Sequence, residues 1–111
     1  VNKDDITIID MEKIYDLNTG LKRFKDTLSS SNDIYVSIDL DVIDPAFAPG
    51  VGNPEANGMS SREMLEFIYC LDNFKLTGFD IVELIPTYDN GSTSALAARL
   101  LSELICIADK V

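Results

Sequence analysis

The order of segments along this chain predicts an α/β fold, a three-layer αβα arrangement with a mainly parallel sheet. Three observations predict it. Short β-branched runs alternate with longer stretches of helical periodicity, in the order strand, helix, strand, helix, strand, helix. The last helical stretch is apolar around most of its circumference, so it needs neighbours on several sides. At 46% hydrophobic residues the chain can bury a core despite a net charge of −10. Its 111 residues fit one domain or a piece of a larger one.

Ile6-Thr7-Ile8-Ile9 reads as a buried strand, and Asp10 offers a cap to the helix that follows. Ile14, Leu17, Leu21, Phe24 and Leu28 recur at helical spacing, so 11–29 is mostly helix. Asn18-Thr19-Gly20 weakens its middle, and a restart capped by Asn18 is an equal alternative. Asp33 to Asp41 is the second strand. Ile34, Val36, Ile38, Leu40 and Val42 face one way, and Tyr35, Ser37, Asp39 and Asp41 the other. Residues 43–59 hold three prolines and three glycines and form a long ordered loop, a kind that is usually functional.

Ser60 and Glu63 form a capping box for a helix over 61–72, with Met64, Leu65, Phe67, Ile68 and Leu71 on its buried stripe. Gly78 precedes a third strand, Phe79 to Ile85, which Pro86 stops. Thr87 to Gly91 is a second loop. Ser92, Thr93 or Ser94 can cap the last helix, which runs to about Ala108. A three-stranded sheet leaves an exposed edge, and Val1 leads almost directly into a strand. Both predict that an N-terminal portion is absent.

A pI near 4.1 argues against nucleic acid and anionic membranes, and suits a cationic ligand or a metal. With no histidine, this chain supplies no His base, Ser-His triad or His ligand. Cys70 and Cys106 both lie in apolar helical patterns and read as buried, inert thiols, which suits a reducing compartment. Nothing at the start reads as a signal peptide, and no apolar run approaches the ~20 residues that span a bilayer.

Asp39 and Asp41 lie near a strand's C-terminal end, where open parallel sheets place their ligand crevice. Two like charges this close repel unless a cation compensates, and two hard carboxylates suit Mn²⁺ or Mg²⁺. A solvated acidic face is the plainer alternative. Glu83 shares its strand face with Phe79, Ile81 and Ile85, where a carboxylate needs a partner. A planar guanidinium would satisfy it with two parallel hydrogen bonds. An internal ion pair, or a register that leaves Glu83 wet, is the alternative. Asp80, on the opposite face, reads as a structural hydrogen-bonding group. Asp44 and Tyr88-Asp89-Asn90-Gly91 read as turn chemistry, and Arg99–Glu103 as an ordinary helix pair.

Ser37-Ile38-Asp39-Leu40-Asp41-Val42-Ile43-Asp44-Pro45-Ala46-Phe47-Ala48-Pro49-Gly50, continued to Gly58, resembles a signature of the arginase/agmatinase (ureohydrolase) family across 22 positions. Val82-Glu83-Leu84-Ile85-Pro86-Thr87-Tyr88-Asp89, with Thr93-Ser94-Ala95-Leu96-Ala97-Ala98, resembles that family's last strand and C-terminal helix. The resemblance is close over 33–108 and loose over 5–32. The wording around Asp44 to Gly50 and Pro86 to Asp89 leans towards agmatinase.

The resemblance implies the arginase/deacetylase-like three-layer fold, with residues 1–111 as the C-terminal part of a single ureohydrolase domain. It implies a cytoplasmic hydrolase that splits a small guanidino substrate into urea and an amine, most simply agmatine into putrescine, with two manganese ions. Asp39 matches the carboxylate that bridges both metals, Asp41 a ligand of one, and Glu83 the acid that binds the substrate guanidinium. The family's water, activated between the metals, attacks the guanidinium carbon. A homotrimer or homohexamer is implied as well. The family's Asp-x-His-x-Asp motif and proton-shuttling His lie upstream and are lacking here, so no catalytic residue is assigned in these 111 residues. They are not expected to hold a stable metal pair or turn over substrate alone. The alternatives are arginase or another amidinohydrolase, an Asp-x-Asp nucleotide-sugar transferase, a non-catalytic receiver-type domain, and a structural relic of a dead ureohydrolase. The transferase leaves the proline-glycine spacing unexplained. The receiver needs a Lys where Ile85 stands.

Overall fold

The computed structural model describes residues 5–110, the side chain of Lys13 excepted. They fall into two compact units, one within Val1–Ser31 and one within Asn32–Val111.

In the first unit the expected strand over Ile6–Ile9 does not form. The segment is irregular, and Ile6 and Ile8 are 59% and 68% exposed. A strand exists through the ladder it makes with a neighbour, and among the described residues this one pairs with none. The helical stretch follows in two pieces, α1 (Met11–Ile14) and α2 (Leu17–Leu28). The break falls at Tyr15–Asp16 and not at Asn18. Asp16 turns extended, its carbonyl accepts the Gly20 N–H, and its carboxylate accepts the Thr19 hydroxyl. The polar residues that weaken the pattern thus act as its second start.

The second unit holds β1 (Asp33–Asp39), α3 (Ser61–Tyr69), β2 (Lys75–Val82) and α4 (Ser92–Ala108). Here the α/β expectation is met: β1 and β2 pair in parallel, from Asp33 opposite Lys75 to Asp39 opposite Val82. α4 packs on β2 and against α3. Ile34 and Ile38 point into the core while Tyr35, Ser37 and Asp39 stay exposed, the alternation of a half-buried strand. Leu40, Ile43, Val51, Ile68, Leu100 and Leu104 are almost wholly buried. Each such side chain contributes about 1.5–3 kcal/mol by leaving water.

Several boundaries differ from expectation. β1 stops at Asp39, and Leu40–Val42 is a 3-10 turn. The helix expected over 61–72 is α3 with its capping box in place, ending in a 3-10 turn at Cys70–Asn73. β2 starts at Lys75 and ends at Val82, not Phe79 to Ile85. Gly78 therefore lies inside the strand, and a Cβ there would meet the ring of its register partner Tyr35 at 2.9 Å. The glycine leaves the space that the Tyr35 ring fills.

α4 starts after Gly91 (φ 101), so none of Ser92, Thr93 and Ser94 is its cap. It buries one stripe, Thr93, Ala97, Leu100, Leu104 and Ile107, and leaves Ile105 51% exposed. That is narrower than its all-round apolar character predicts. Cys70 is buried as expected, but Cys106 is exposed, because it lies off that stripe. Among the described residues no helix is long and apolar enough to cross a membrane.

Candidate functional site

Asp39 ends β1 and begins the turn after it. Its Oδ1 accepts the Asp41 N–H at 2.9 Å, the bond that lets the chain leave the strand at this point. Asp41 therefore sits in the 3-10 turn and not on the strand face, a correction to the simple alternation. Its Oδ1 accepts the Asn53 N–H at 3.1 Å, across the long loop. Asp39 is exposed and Asp41 half-buried.

The parallel register sets Val82 opposite Asp39, so Glu83 follows at the same edge of the sheet. Glu83 is not buried among Phe79, Ile81 and Ile85. It lies just past the end of β2, is exposed, and has a φ of 68°. A non-glycine residue in the left-handed region is held there only by its surroundings, at a cost of about 1–3 kcal/mol. The surroundings are visible. Leu84 bridges Val51 in antiparallel fashion, and the Ile85 N–H donates to the Gly50 carbonyl at 2.9 Å. A Cβ on Gly52 would lie 2.6 Å from Glu83 Oε2, so the carboxylate rests over the bare Cα of that glycine. The Glu83 carboxylate accepts no hydrogen bond and forms no ion pair among the described residues.

The long loop over 43–59 is ordered from within. The Asp44 carboxylate accepts the N–H groups of Ala46 (2.8 Å), Asn57 (2.9 Å) and Gly58 (3.2 Å). The bond from Ala46 leads in lowering its pKa below the usual carboxylate value; partial burial opposes this, and Gly58 and Asn57 add to it. A Cβ on Gly58 would come within 2.6 Å of the Asp44 nitrogen, so only glycine closes the loop there.

The far side is stitched to α4. The Gly50 N–H donates to Thr93 Oγ1 at 2.8 Å, and Thr93 is fully buried. Asp89 in turn accepts the Thr93 hydroxyl and the N–H groups of Gly91 and Thr93, which lower its pKa, the Thr93 hydroxyl most, while partial burial opposes them. Asp89 thereby satisfies the start of α4 from outside the helix. Asp80 is structural as expected, accepting the Tyr35 and Ser37 hydroxyls at 2.6 Å each. Arg99 and Glu103 form the expected pair at 2.7 Å.

Both acids of the pair are hard oxygen donors. Each is pinned through one oxygen by a backbone N–H, and the second oxygen of each accepts no hydrogen bond among the described residues. That donor chemistry fits a hard divalent ion. Two ligands are fewer than such an ion takes, and no group of three or more His, Cys, Asp or Glu able to hold a metal occurs among the described residues. Glu83 thus shares the sheet edge with Asp39 and Asp41 without joining them in one cluster. Sequence reasoning missed the Gly50–Asn53 segment that ties these acids to one another. Its only local signal was the Gly-x-Gly spacing of Gly50 and Gly52, which does not say what the glycines face.

Comparison with known proteins identifies the family. "Putative agmatinase 3" of Schizosaccharomyces pombe is 42% identical over 106 residues, which is 93% of this chain and 26% of that protein. The mitochondrial guanidino acid hydrolase of Homo sapiens is 46% identical over 79 residues, 70% of this chain and 22% of that protein. The solved proclavaminate amidino hydrolase of Streptomyces clavuligerus superposes with a TM-score of 0.86 at 34% identity, covering 93% of this chain and 36% of that one. The chain therefore spans about a quarter of the length of these two curated relatives. With the Arginase family matched across residues 1–106, the chain belongs to the Arginase family.

Proposed function

We propose that the protein of which this chain forms part hydrolyses a small guanidino compound to urea and an amine, with agmatine as the substrate and putrescine as the amine product. One observation carries the proposal. The parallel β1–β2 register sets the Asp39–Asp41 acids and Glu83 at a single edge of the sheet. Family membership and relatives with agmatinase, guanidino acid hydrolase and amidino hydrolase names support the reaction class.

In this reading Asp39 and Asp41 would hold manganese, and the remaining ligands would come from the rest of the protein. The ions, when bound, supply the positive charge that lowers the pKa of a water and steadies negative charge as the guanidinium carbon is attacked. Glu83 binds the substrate. Its carboxylate accepts two parallel N–H bonds from the planar guanidinium and fixes the carbon beside the acid pair. Its exposed, unengaged carboxylate and its strained backbone support that role. The homotrimer or homohexamer belongs to the same proposal. So does a cytoplasmic setting.

The test is urea release by the full-length protein with Mn²⁺, offered agmatine, arginine or 4-guanidinobutanoate. Agmatine is expected to give the highest kcat/KM, and Glu83→Gln to lower it at least about tenfold, since charge-assisted hydrogen bonds to the guanidinium are lost. Urea from none of the three compounds overturns the reaction. A preference for arginine or the guanidino acid overturns the substrate alone.

A further inference from the structure

Two neighbouring residues of the long loop, Gly52 and Asn53, reach the two halves of the proposed site. The Asn53 N–H donates to the Asp41 carboxylate, and Gly52 underlies the Glu83 carboxylate. We propose that Gly52 is a positioning residue for substrate recognition: its missing side chain sets where the Glu83 carboxylate stands, and so where a guanidinium is held relative to Asp39 and Asp41. The proposal rests on Glu83 being the guanidinium ligand.

Space, not backbone conformation, makes position 52 a glycine. Its φ lies outside the left-handed region that disfavours other residues. A Cβ would meet Glu83 Oε2 at 2.6 Å, while the next side chain, Ile85, stands off at 3.7 Å. The loop cannot retreat from the clash. Val51 bridges Leu84, Gly50 is bonded to Ile85 and Thr93, and Asn53 is bonded to Asp41. Glu83 cannot move as a whole either, because its backbone is caught between β2 and the bridged Leu84. What yields is the flexible end of the Glu83 side chain, which has no protein partner among the described residues to resist displacement. A Gly52→Ala protein therefore keeps its fold and moves the carboxylate.

The experiment uses the full-length protein with Mn²⁺ and whichever of agmatine, arginine and 4-guanidinobutanoate it hydrolyses best. Wild type, Gly52→Ala, Glu83→Gln and the double variant are compared by kcat, KM, unfolding temperature and bound metal. Gly52→Ala is expected to keep its metal and unfolding temperature and to lose roughly 10²-fold in kcat/KM, the scale of an ångström-sized misplacement. In the Glu83→Gln background the same change is expected to matter by less than about twofold, because the two act through one group. A Gly52→Ala protein within about twofold of wild type overturns the proposal. So does equal loss in both backgrounds, or a loss of metal or unfolding temperature. If Glu83→Gln alone leaves kcat/KM intact, the guanidinium role of Glu83 is what has failed, and that single variant shows it.

Discussion

Asp89 is one residue doing the work of a helix cap from three positions away. It takes the Thr93 hydroxyl and the N–H groups of Gly91 and Thr93, and these bonds to the charged form, the Thr93 hydroxyl foremost, hold its pKa below the usual carboxylate value. Folding therefore favours ionised Asp89. The stability this contributes is complete above the unfolded value of about 3.9 and is lost as pH falls through the lower folded value. Asp89→Asn cannot ionise. The gap in stability between wild type and Asp89→Asn, from urea unfolding at several pH values, is expected to be constant near neutrality and to shrink below about pH 4. A gap as wide at pH 3 as at pH 7 would show that the charge plays no part. Asp44 has the same character but is present in both proteins, so its contribution cancels.

At the scale of elements, local signals predicted what local chemistry could decide. Ser60 and Glu63 form the capping box that their spacing announces, and α3 starts where it should. Ser60→Ala is expected to destabilise the full-length protein by about 1 kcal/mol in denaturant unfolding, the loss of one N-cap bond. No change would mean that packing of Met64 and Ile68 holds α3 without its cap. The long loop over 43–59 was legible from its prolines and glycines, as was the parallel order of strands. The strand over Ile6–Ile9 was not, because β-branched residues state a capacity for pairing and not the presence of a partner. The ends of β2 moved for a related reason. Gly78 looks like a strand breaker until Tyr35 of the neighbouring strand fills its space.

For the molecule as a whole, 19 acids against 9 bases leave an excess of carboxylates, two of them held at one turn by backbone amides. A divalent ion that binds the folded protein and not the unfolded one stabilises it by mass action. Chelation of metal from the full-length protein is expected to lower its unfolding temperature. Asp39→Asn is expected to abolish most of that response, read by scanning calorimetry with and without EDTA. An Asp39→Asn protein that responds to EDTA as wild type does would remove Asp39 from the metal site.

The three acids as candidates, their place near the C-terminal ends of parallel strands and the family they point to were all readable in the linear order of residues, since short-range spacing carries them. Distant segments had to be brought together before the rest existed. The β1–β2 register puts Glu83 at the edge shared with Asp39, the Val51–Leu84 bridge forces its backbone to a φ of 68°, and the loop slides Gly52 beneath its carboxylate. Cys106 likewise became an exposed thiol only when α4 chose which stripe to bury. Each of these is a meeting of residues far apart in the chain, and a one-dimensional pattern holds no distance between them.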